Sequence, residues 1–317
     1  MTDEIFDQIP GGSWTTDELR PYQKVAVEFL KKNRRSVLML DMGLGKTCVA
    51  LTALQPKNLP ALVVGPKRVA ESVWHVEQER WRPDLTTVVA KGTPAHRKAA
   101  YDRILNVYAD IMVISWDNFH EIPEDHPFKT IIIDELSGYK NYNTERFRSM
   151  RRLANPSTGV RTVWGLTGTP SSNGLLDLWG QFKLLDDGVR LGKNITAYRT
   201  AYFRPAPGKT LPNGVITKWD LLPGAEEQIR SKIEDISLAM STDGRVPLPK
   251  TSLSIVPVEL PSRARRAYNE MKKDLLTDIR DVLDGEIYTA ESAGQLSNRL
   301  RQLTAGFMYG DRTEEDR

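Results

Sequence analysis

The chain has 317 residues, enough for one large domain or two ordinary ones, and 40% are hydrophobic, which suffices for a core. Forty-four lysines and arginines nearly balance 41 aspartates and glutamates, so the net charge of +3 excludes a histone-like polycation and leaves only local basic patches for anionic partners. One cysteine and four histidines without HExxH spacing exclude an intrachain disulfide and do not favour a zinc site.

Short apolar runs alternate with helical stretches from about residue 20 to residue 185. The predicted strands are residues 36–40, 61–65, 86–90, 111–115, 130–134 and 162–167. Several of them are continuously apolar, which suits parallel strands that are buried on both faces. The predicted helices between them are residues 22–32, 46–54, 69–80 and 94–107. This alternation predicts an α/β fold in which helices flank a parallel β-sheet.

The pattern changes after about residue 185. Glycine and proline recur through residues 186–250, with one helical stretch at 225–236, which predicts an insertion on the rim of the lobe. A further strand is predicted at 251–260, followed by helices at about 262–283 and 289–303. The three predicted parts are therefore residues 1–185, 186–250 and 251–317.

The strongest chemical signal is the segment 41–47, DMGLGKT, which follows a predicted strand and opens a helix. A phosphate chain needs accessible backbone N–H groups, a positive charge and a helix N-terminus. Gly43 and Gly45 allow the backbone to approach phosphates, Lys46 can reach the β and γ phosphates, and the Thr47 hydroxyl can bind Mg²⁺. The strict G-x-x-x-x-G-K-[ST] pattern places a glycine where this chain has leucine. The position between strand and helix nevertheless favours a phosphate-binding loop over a chance match.

An acidic pair ends the predicted strand at 130–134. Asp134 is expected to hold Mg²⁺ and Glu135 to orient or deprotonate an attacking water molecule. Acidic pairs are common at strand ends, so this interpretation depends on Lys46 lying at the same sheet edge. After the last predicted strand, Thr167, Gly168 and the hydroxyl residue Thr169 could contact the acidic pair and sense the γ phosphate. An ordinary Gly/Pro turn is the alternative for this segment.

Taken in order, these motifs resemble the first RecA-like lobe of superfamily 2 helicases, and within them the Snf2-type branch. The segments that carry the resemblance are LRPYQ at 19–23, DMGLGKT at 41–47, VVGPK at 63–67, ISW at 114–116, IIIDELSGYKN at 131–141 and GLTGTP at 165–170. The DELS form of the acidic motif and the run NGLLDLWGQFKLLD are similar to those of phage-encoded members. The match covers residues 19 to about 185 closely, and the insertion and the predicted strand at 251–260 more loosely.

The resemblance implies a RecA-like P-loop NTPase lobe with an α-helical insertion, and ATP and Mg²⁺ as cofactors. The residues implied to contact ATP are Gln23, Met42, Gly43, Leu44, Gly45, Lys46, Thr47 and Cys48. Gln23 is implied to read adenine, although by itself it would be an ordinary solvated helix residue. Lys46, Asp134 and Glu135 are implied to be catalytic, with Thr47 and Asp134 as Mg²⁺ ligands. Thr167, Gly168 and Thr169 are implied to couple the site to nucleic acid.

By the same resemblance, the nucleic-acid backbone is contacted by Pro66, Lys67, Ser115 and Trp116. For Trp116, core packing is expected, with base stacking as the alternative. Leu136 and Ser137 replace the Ala-His of the usual acidic motif, so the histidine link from the ATP site to the threonine motif is absent and the coupling is left open.

Other residues with possible roles are given structural interpretations. The arginines of one helix face are expected to be solvated, with phosphate binding as the alternative: Arg148, Arg151 and Arg152. The tryptophans in apolar patterns are expected in the core: Trp74, Trp81, Trp164 and Trp179. Cys48 is expected to be a small buried side chain.

Superfamily 2 motors hydrolyse ATP between two lobes, and no second strand–helix series follows Leu303, so a second RecA-like lobe is expected in a longer gene product. The favoured function is a DNA-dependent ATPase that moves on or remodels duplex DNA. One alternative is a non-motor protein that binds DNA or a protein under nucleotide control. Another is a P-loop kinase or GTPase, against which the ordered motif series counts.

The acidic N-terminus and the lack of an apolar run of about 20 residues predict a cytoplasmic location, in the host if the gene is phage-encoded, and no membrane partner.

Overall fold

The computed structural model describes residues 19–168, 174–211, 214–242, 256–274, 276–278, 287–289 and 293–306. The chain forms two compact units, Met1–Pro247 and Leu248–Arg317. The strands of the first unit are β1 (Arg35–Leu40), β2 (Ala61–Gly65), β3 (Thr87–Ala90), β4 (Ile111–Ser115), β5 (Thr130–Asp134), β6 (Thr162–Thr167), β7 (Phe203–Pro205), β8 (Trp219–Leu221) and β9 (Ser237–Met240). Its helices are α1 (Pro21–Lys32), α2 (Lys46–Ala53), α3 (Lys67–Ser72), α4 (Trp74–Trp81), α5 (Pro94–Leu105), α6 (Glu145–Leu153), α7 (Leu178–Asp186), α8 (Ile195–Tyr202) and α9 (Ala225–Ile233).

Seven of these strands form one sheet in the order β3-β4-β2-β5-β6-β1-β9, and every neighbouring pair is parallel. Strands β1, β5 and β6, which precede the three predicted nucleotide motifs, are adjacent. Because parallel strands end at the same edge, the motifs meet there. The predicted α/β fold with a parallel sheet flanked by helices is confirmed.

Both faces of the sheet are covered, which explains the continuous apolar runs in its strands. Successive residues of a strand point to opposite faces, so Leu62 and Val64 belong to one core cluster whereas Ala61 and Val63 belong to the other. Helices α1 to α4 contribute to the second cluster, and α5 to α9 contribute to the first. Among the described residues, no helix is long and apolar enough to cross a bilayer.

The six predicted strands are confirmed to within one residue at their ends. The stretch predicted as one helix at 69–80 is two helices, because the chain turns at Val73 between α3 and α4. Val73 is β-branched and therefore a weaker helix former. Thr93 caps the N-terminus of α5, because its hydroxyl accepts a hydrogen bond from the His96 N–H at 3.4 Å.

The edge strand β9 was not predicted, and it lies within residues 186–250, where we expected only an insertion. None of its four residues is fully buried, so β9 lacks the buried apolar run that marks the central strands. Between α7 and β9 the chain forms α8, the antiparallel pair β7–β8 and α9. Arg190 links the end of α7 to the segment before β9, because its guanidinium group donates hydrogen bonds to Asp186 at 3.1 Å and to Asp235 at 2.9 Å.

The second unit differs from its prediction. Residues 256–260 of the strand predicted at 251–260 are not a strand, and residues 251–255 lie outside the described part. The helix predicted at 262–283 ends earlier, as α10 (Ser262–Asp274), and the next described residues are β10 (Leu276–Asp278), antiparallel to β11 (Ile287–Thr289). Helix α11 (Ala293–Thr304) starts after this strand pair, so the predicted start at residue 289 was wrong. Ala267, Met271 and Leu303 form the core between α10 and α11.

Candidate functional site

The loop between β1 and α2 has the backbone that a phosphate-binding loop requires. Gly43 and Gly45 have positive φ angles of 80° and 77°, which glycine adopts without strain. A Cβ atom at Gly45 would lie 2.5 Å from Nε2 of Gln23 and 2.9 Å from Sγ of Cys48, so only glycine fits there. Of the other predicted ATP contacts in this loop, Met42 is 79% exposed and Leu44 is fully buried.

Lys46 is the first residue of α2, and its side chain folds back over the loop. Its Nζ donates to the carbonyl oxygen of Leu40 at 2.7 Å and to that of Asp41 at 3.3 Å. Burial lowers the pKa of Lys46, whereas the carboxylates of Glu135 and Asp134 act in the opposite direction. The predicted cation therefore faces the predicted acidic pair.

Asp134, at the end of β5, is 9% exposed. Its Oδ2 accepts a hydrogen bond from Nε1 of Trp74 at 2.9 Å. Burial raises the pKa of Asp134, and the Trp74 donor opposes that shift by stabilising the charged form. We expected Trp74 to be only a core residue. It is buried, but it also orients the carboxylate, a contact across 60 positions that no sequence pattern indicates.

Glu135 follows with left-handed backbone angles, φ 57° and ψ 64°. A non-glycine residue in this region is strained, and such strain is often found at functional positions. Its Oε1 accepts hydrogen bonds from Oγ of Ser137 at 2.5 Å and from Oγ1 of Thr167 at 2.7 Å. The acidic motif is therefore joined to the threonine motif through the carboxylate of Glu135 itself, without the histidine that Ser137 replaces.

The threonine motif also approaches the phosphate loop. A Cβ atom at Gly168 would lie 3.5 Å from Nζ of Lys46. Thr169 lies outside the described residues. Thr167, Gly168 and Lys46 are thus brought to one place at the edge of the sheet.

Gln23 lies against the phosphate loop rather than in solvent. Its Nε2 donates to the carbonyl oxygen of Leu44 at 3.2 Å, and its Oε1 accepts the backbone N–H of Arg20 at 2.9 Å. Cys48 is buried, as expected. Its thiol donates a hydrogen bond to the carbonyl oxygen of Gly45 at 3.0 Å, and burial raises the pKa of the thiol to about 12. The role of Gln23 in reading adenine stays a prediction.

The four residues predicted to contact nucleic acid lie at the ends of adjacent strands β2 and β4. Gly65 pairs with Ser115 in the sheet register, and the Trp116 N–H donates to the Gly65 carbonyl oxygen at 2.9 Å. Pro66 and the exposed Lys67 begin α3 directly after β2. Ser115 is buried, and its Oγ accepts a hydrogen bond from Nδ2 of Asn118 at 3.1 Å.

Trp116 is half-buried, with its ring edge-on to that of Tyr139, 6.3 Å between centroids. The other tryptophans expected in the core are buried at Trp74, Trp164 and Trp179, whereas Trp81 is half-buried.

The solvated arginine face on α6 is confirmed. Arg148 pairs with Glu145 at 2.8 Å, and Arg151 pairs with Asp187 at 3.2 Å. Arg152 lies between two carboxylates, 3.6 Å from Glu145 and 3.9 Å from a second glutamate.

Among the described residues, no group of three or more His, Cys, Asp or Glu side chains could hold a metal ion. Mg²⁺ in nucleotide sites needs fewer protein ligands, because water and phosphate oxygens complete its octahedron. The hydroxyl of Thr47 and the carboxylate of Asp134 are hard oxygen donors of the kind that Mg²⁺ prefers. The residues present therefore fit this ion.

The amino-acid sequence matches a known family model and several known proteins. A family model described as the SNF2-related domain matches residues 22–305. Protein p41 of Acyrthosiphon pisum secondary endosymbiont phage 1 is 30% identical over 306 residues, which cover 92% of this chain and 64% of that protein. The ISWI chromatin-remodeling complex ATPase ISW1 of Saccharomyces cerevisiae is 29% identical over 309 residues, covering 92% of this chain and 25% of that protein.

Solved structures show the same fold. The Sulfolobus solfataricus SWI2/SNF2 ATPase core, determined in complex with dsDNA, superimposes with a TM-score of 0.58 at 20% identity over 80% of this chain and 52% of that one. This chain thus spans less than two thirds of the length of the proteins it matches.

Proposed function

The chain belongs to the family of SNF2-related domains, and we propose that it is the ATP-binding lobe of a DNA-dependent ATPase that couples Mg-ATP hydrolysis to movement on, or remodelling of, duplex DNA. The observation that carries the proposal is the hydrogen bond of Thr167 Oγ1 to Glu135 Oε1, 2.7 Å long, beside the phosphate-loop lysine. It joins the group that would activate water to the segment that would sense the phosphate.

Nucleotide binding would use the phosphate loop as it stands. The carbonyl oxygens of Leu40 and Asp41 keep the Lys46 ammonium group in the loop, where β- and γ-phosphate oxygens can replace them as acceptors. Thr47 and Asp134 would hold Mg²⁺, which neutralises charge on the phosphate oxygens. Trp74 keeps the Asp134 carboxylate oriented for this role.

Hydrolysis would depend on Glu135. Its carboxylate orients a water molecule and accepts its proton as the water oxygen bonds to the γ phosphorus, and the bond from that phosphorus to the β–γ bridging oxygen breaks to release ADP. Ser137 and Thr167 fix Oε1 of this carboxylate. Any rearrangement of the threonine motif is therefore transmitted directly to the group that activates water.

Duplex DNA and a second RecA-like lobe are the partners that we propose. The ISW1 relative is a chromatin-remodeling ATPase, and the Sulfolobus core was solved with dsDNA, which supports a duplex substrate. The second lobe would supply arginines that stabilise the charge of the transferred phosphoryl group, a contribution of about 10³- to 10⁵-fold in related systems. A cytoplasmic location is part of the same proposal.

The test is steady-state ATP hydrolysis by the complete gene product and by the 317-residue chain, each with and without duplex DNA. We expect DNA-stimulated turnover by the complete protein and slow turnover by the chain alone. The Lys46→Ala variant of each, which should lose most ATP binding, controls for contaminating ATPase. ATP binding without DNA-stimulated turnover in the complete protein would replace the motor with a non-motor protein controlled by nucleotide.

A further inference from the structure

Arg146, in the first turn of α6, lies at the edge of the sheet where Lys67 begins α3. Cζ of Arg146 is 4.6 Å from the centroid of the Trp116 ring, within the range of a cation–π contact. Trp116 in turn is bonded through its backbone N–H to Gly65, two residues before Lys67. Arg146 and Lys67 therefore reach the same edge of the sheet from different strand–helix connections.

The ring of Trp116 is held in a fixed place beneath this cation. A Cβ atom at Gly138 would lie 2.8 Å from Cη2 of Trp116, so the ring packs directly on the glycine backbone. Tyr139 meets it edge-on, and the indole Nε1 is buried without a hydrogen-bond partner among the described residues. These contacts leave little of the ring available to stack on a base, but they make it a rigid support for a guanidinium group.

Arg146 has a longer ionic contact than two of its neighbours on α6. Arg148 is bonded to Glu145 at 2.8 Å and Arg151 to Asp187 at 3.2 Å. The carboxylate of Asp117 is 3.7 Å from Arg146, beyond hydrogen-bond distance, and that aspartate is 62% exposed. The Arg146 side chain keeps 34% of its surface exposed. Because the ion pair with Asp117 is long and partly exposed, the N–H groups of Arg146 remain able to bind an anion at the edge of the sheet.

We propose that Arg146 contacts a phosphate of the duplex DNA backbone and that Trp116 is the positioning residue that holds it there, not a base-stacking residue. This inference rests on the proposed function, since it deepens the description of the DNA contact. A guanidinium group matches two phosphate oxygens at once, and its flat face remains on the aromatic ring while it does so. Phosphate contacts of this kind carry no sequence information.

The test is titration of two unrelated labelled duplexes with the 317-residue chain at several salt concentrations. We expect Arg146→Ala to weaken binding of both duplexes equally, by about tenfold, and to make the log–log salt slope shallower by about one unit. Arg148→Ala, two residues further along the same helix, is the matched control and should change neither quantity. Circular dichroism and ATP titration confirm that each variant is folded.

The role of Trp116 is tested in the same assay. Trp116→Leu removes the support and should weaken binding as Arg146→Ala does, whereas the double variant should lose no more than either single one. Trp116→Phe retains an aromatic face and should keep most of the affinity.

Unaltered duplex binding by Arg146→Ala would overturn the inference. Trp116→Leu could instead weaken DNA binding even when Arg146 is already alanine, and weaken it more for single-stranded than for duplex DNA. That result would make Trp116 a base-stacking residue. If the unaltered chain bound ATP but no duplex, DNA as a partner would itself be wrong, a failure distinct from a variant without effect.

Discussion

The backbone N–H of Thr242 donates a 2.9 Å hydrogen bond to Oδ2 of Asp41, and so joins the first residue of the phosphate loop to the chain that leaves the edge strand β9. The Asp41 N–H also donates to the carbonyl oxygen of Met240 at 3.2 Å, while its carbonyl oxygen accepts Nζ of Lys46. Asp41 is thus bonded both to the edge strand β9 and to Lys46.

Because of these contacts, we expect Asp41→Ala to weaken ATP binding by about three- to tenfold, the loss of roughly one hydrogen bond that orders the loop. Asp41→Asn keeps an acceptor oxygen and should lose less. Thr242→Ala is the matched control: it removes only the long 3.5 Å hydrogen bond from Oγ1 of Thr242 and keeps the 2.9 Å bond from its backbone, so ATP affinity should stay close to the wild-type value. Isothermal titration of the three variants decides this, and equal affinities for Asp41→Ala and wild type would rule out a role for the contact in binding.

Trp74→Phe should shift the pH dependence of Mg-ATP binding. Burial already raises the pKa of Asp134, and removing the Trp74 donor should raise it further because that donor stabilises the carboxylate. As the pH falls, the variant should therefore lose Mg-ATP binding at a higher pH than the wild type. The measurement is ATP affinity at saturating Mg²⁺ across the acidic range.

Trp164→Phe is the control for this experiment. Trp164 is equally buried, but its Nε1 donates to the backbone carbonyl of Asn33 rather than to an acid. Trp164→Phe should therefore lower the free energy of unfolding without shifting the pH dependence of Mg-ATP binding. Identical profiles for all three proteins would show that Trp74 only packs.

The nucleotide site could be predicted because each of its parts follows a strand directly. Lys46, Asp134 and Thr167 lie at or just beyond the ends of β1, β5 and β6, and a parallel sheet brings those ends together whatever the rest of the chain does. The contact of Trp74 with Asp134 depends on how α4 packs, which no periodicity specifies. Likewise, Arg146 could not be separated from the other arginines of α6 without knowing where Trp116 lies.

The second unit shows where local patterns failed. Residues 262–283 have a helical pattern, yet α10 ends at Asp274 and the chain then pairs as β10 with β11. Strand pairing is a tertiary interaction that overrides helix propensities of a few tenths of a kcal/mol per residue.

Glu135→Gln should bind ATP normally and hydrolyse it at least about a hundredfold more slowly, because an amide cannot accept the proton of water. The amide oxygen can still accept the hydrogen bonds of Ser137 and Thr167, so the site should keep its geometry. Single-turnover hydrolysis by the complete gene product is the measurement, with ATP affinity as the control. Wild-type turnover would remove Glu135 from the mechanism.

Cys48, the single cysteine, should resist alkylation in the folded protein and should make stability fall at high pH. The thiol is 3% exposed, and burial raises its pKa from 9.0 to about 12. A raised pKa means that the folded state holds the proton more tightly. The contribution to stability is thus complete below pH 9 and is lost as the pH rises from 9 towards about 12.

At pH 10 the unfolded thiol is mostly ionised, so the free energy of unfolding of the wild type should be roughly 1 kcal/mol lower than at pH 7.5. Cys48→Ser does not ionise in this range, so the wild-type advantage over that variant in urea unfolding should shrink by this amount between the two pH values. An advantage that stays constant, or rapid alkylation of the folded wild type at pH 8, would show that the thiol is accessible and that its pKa is not raised.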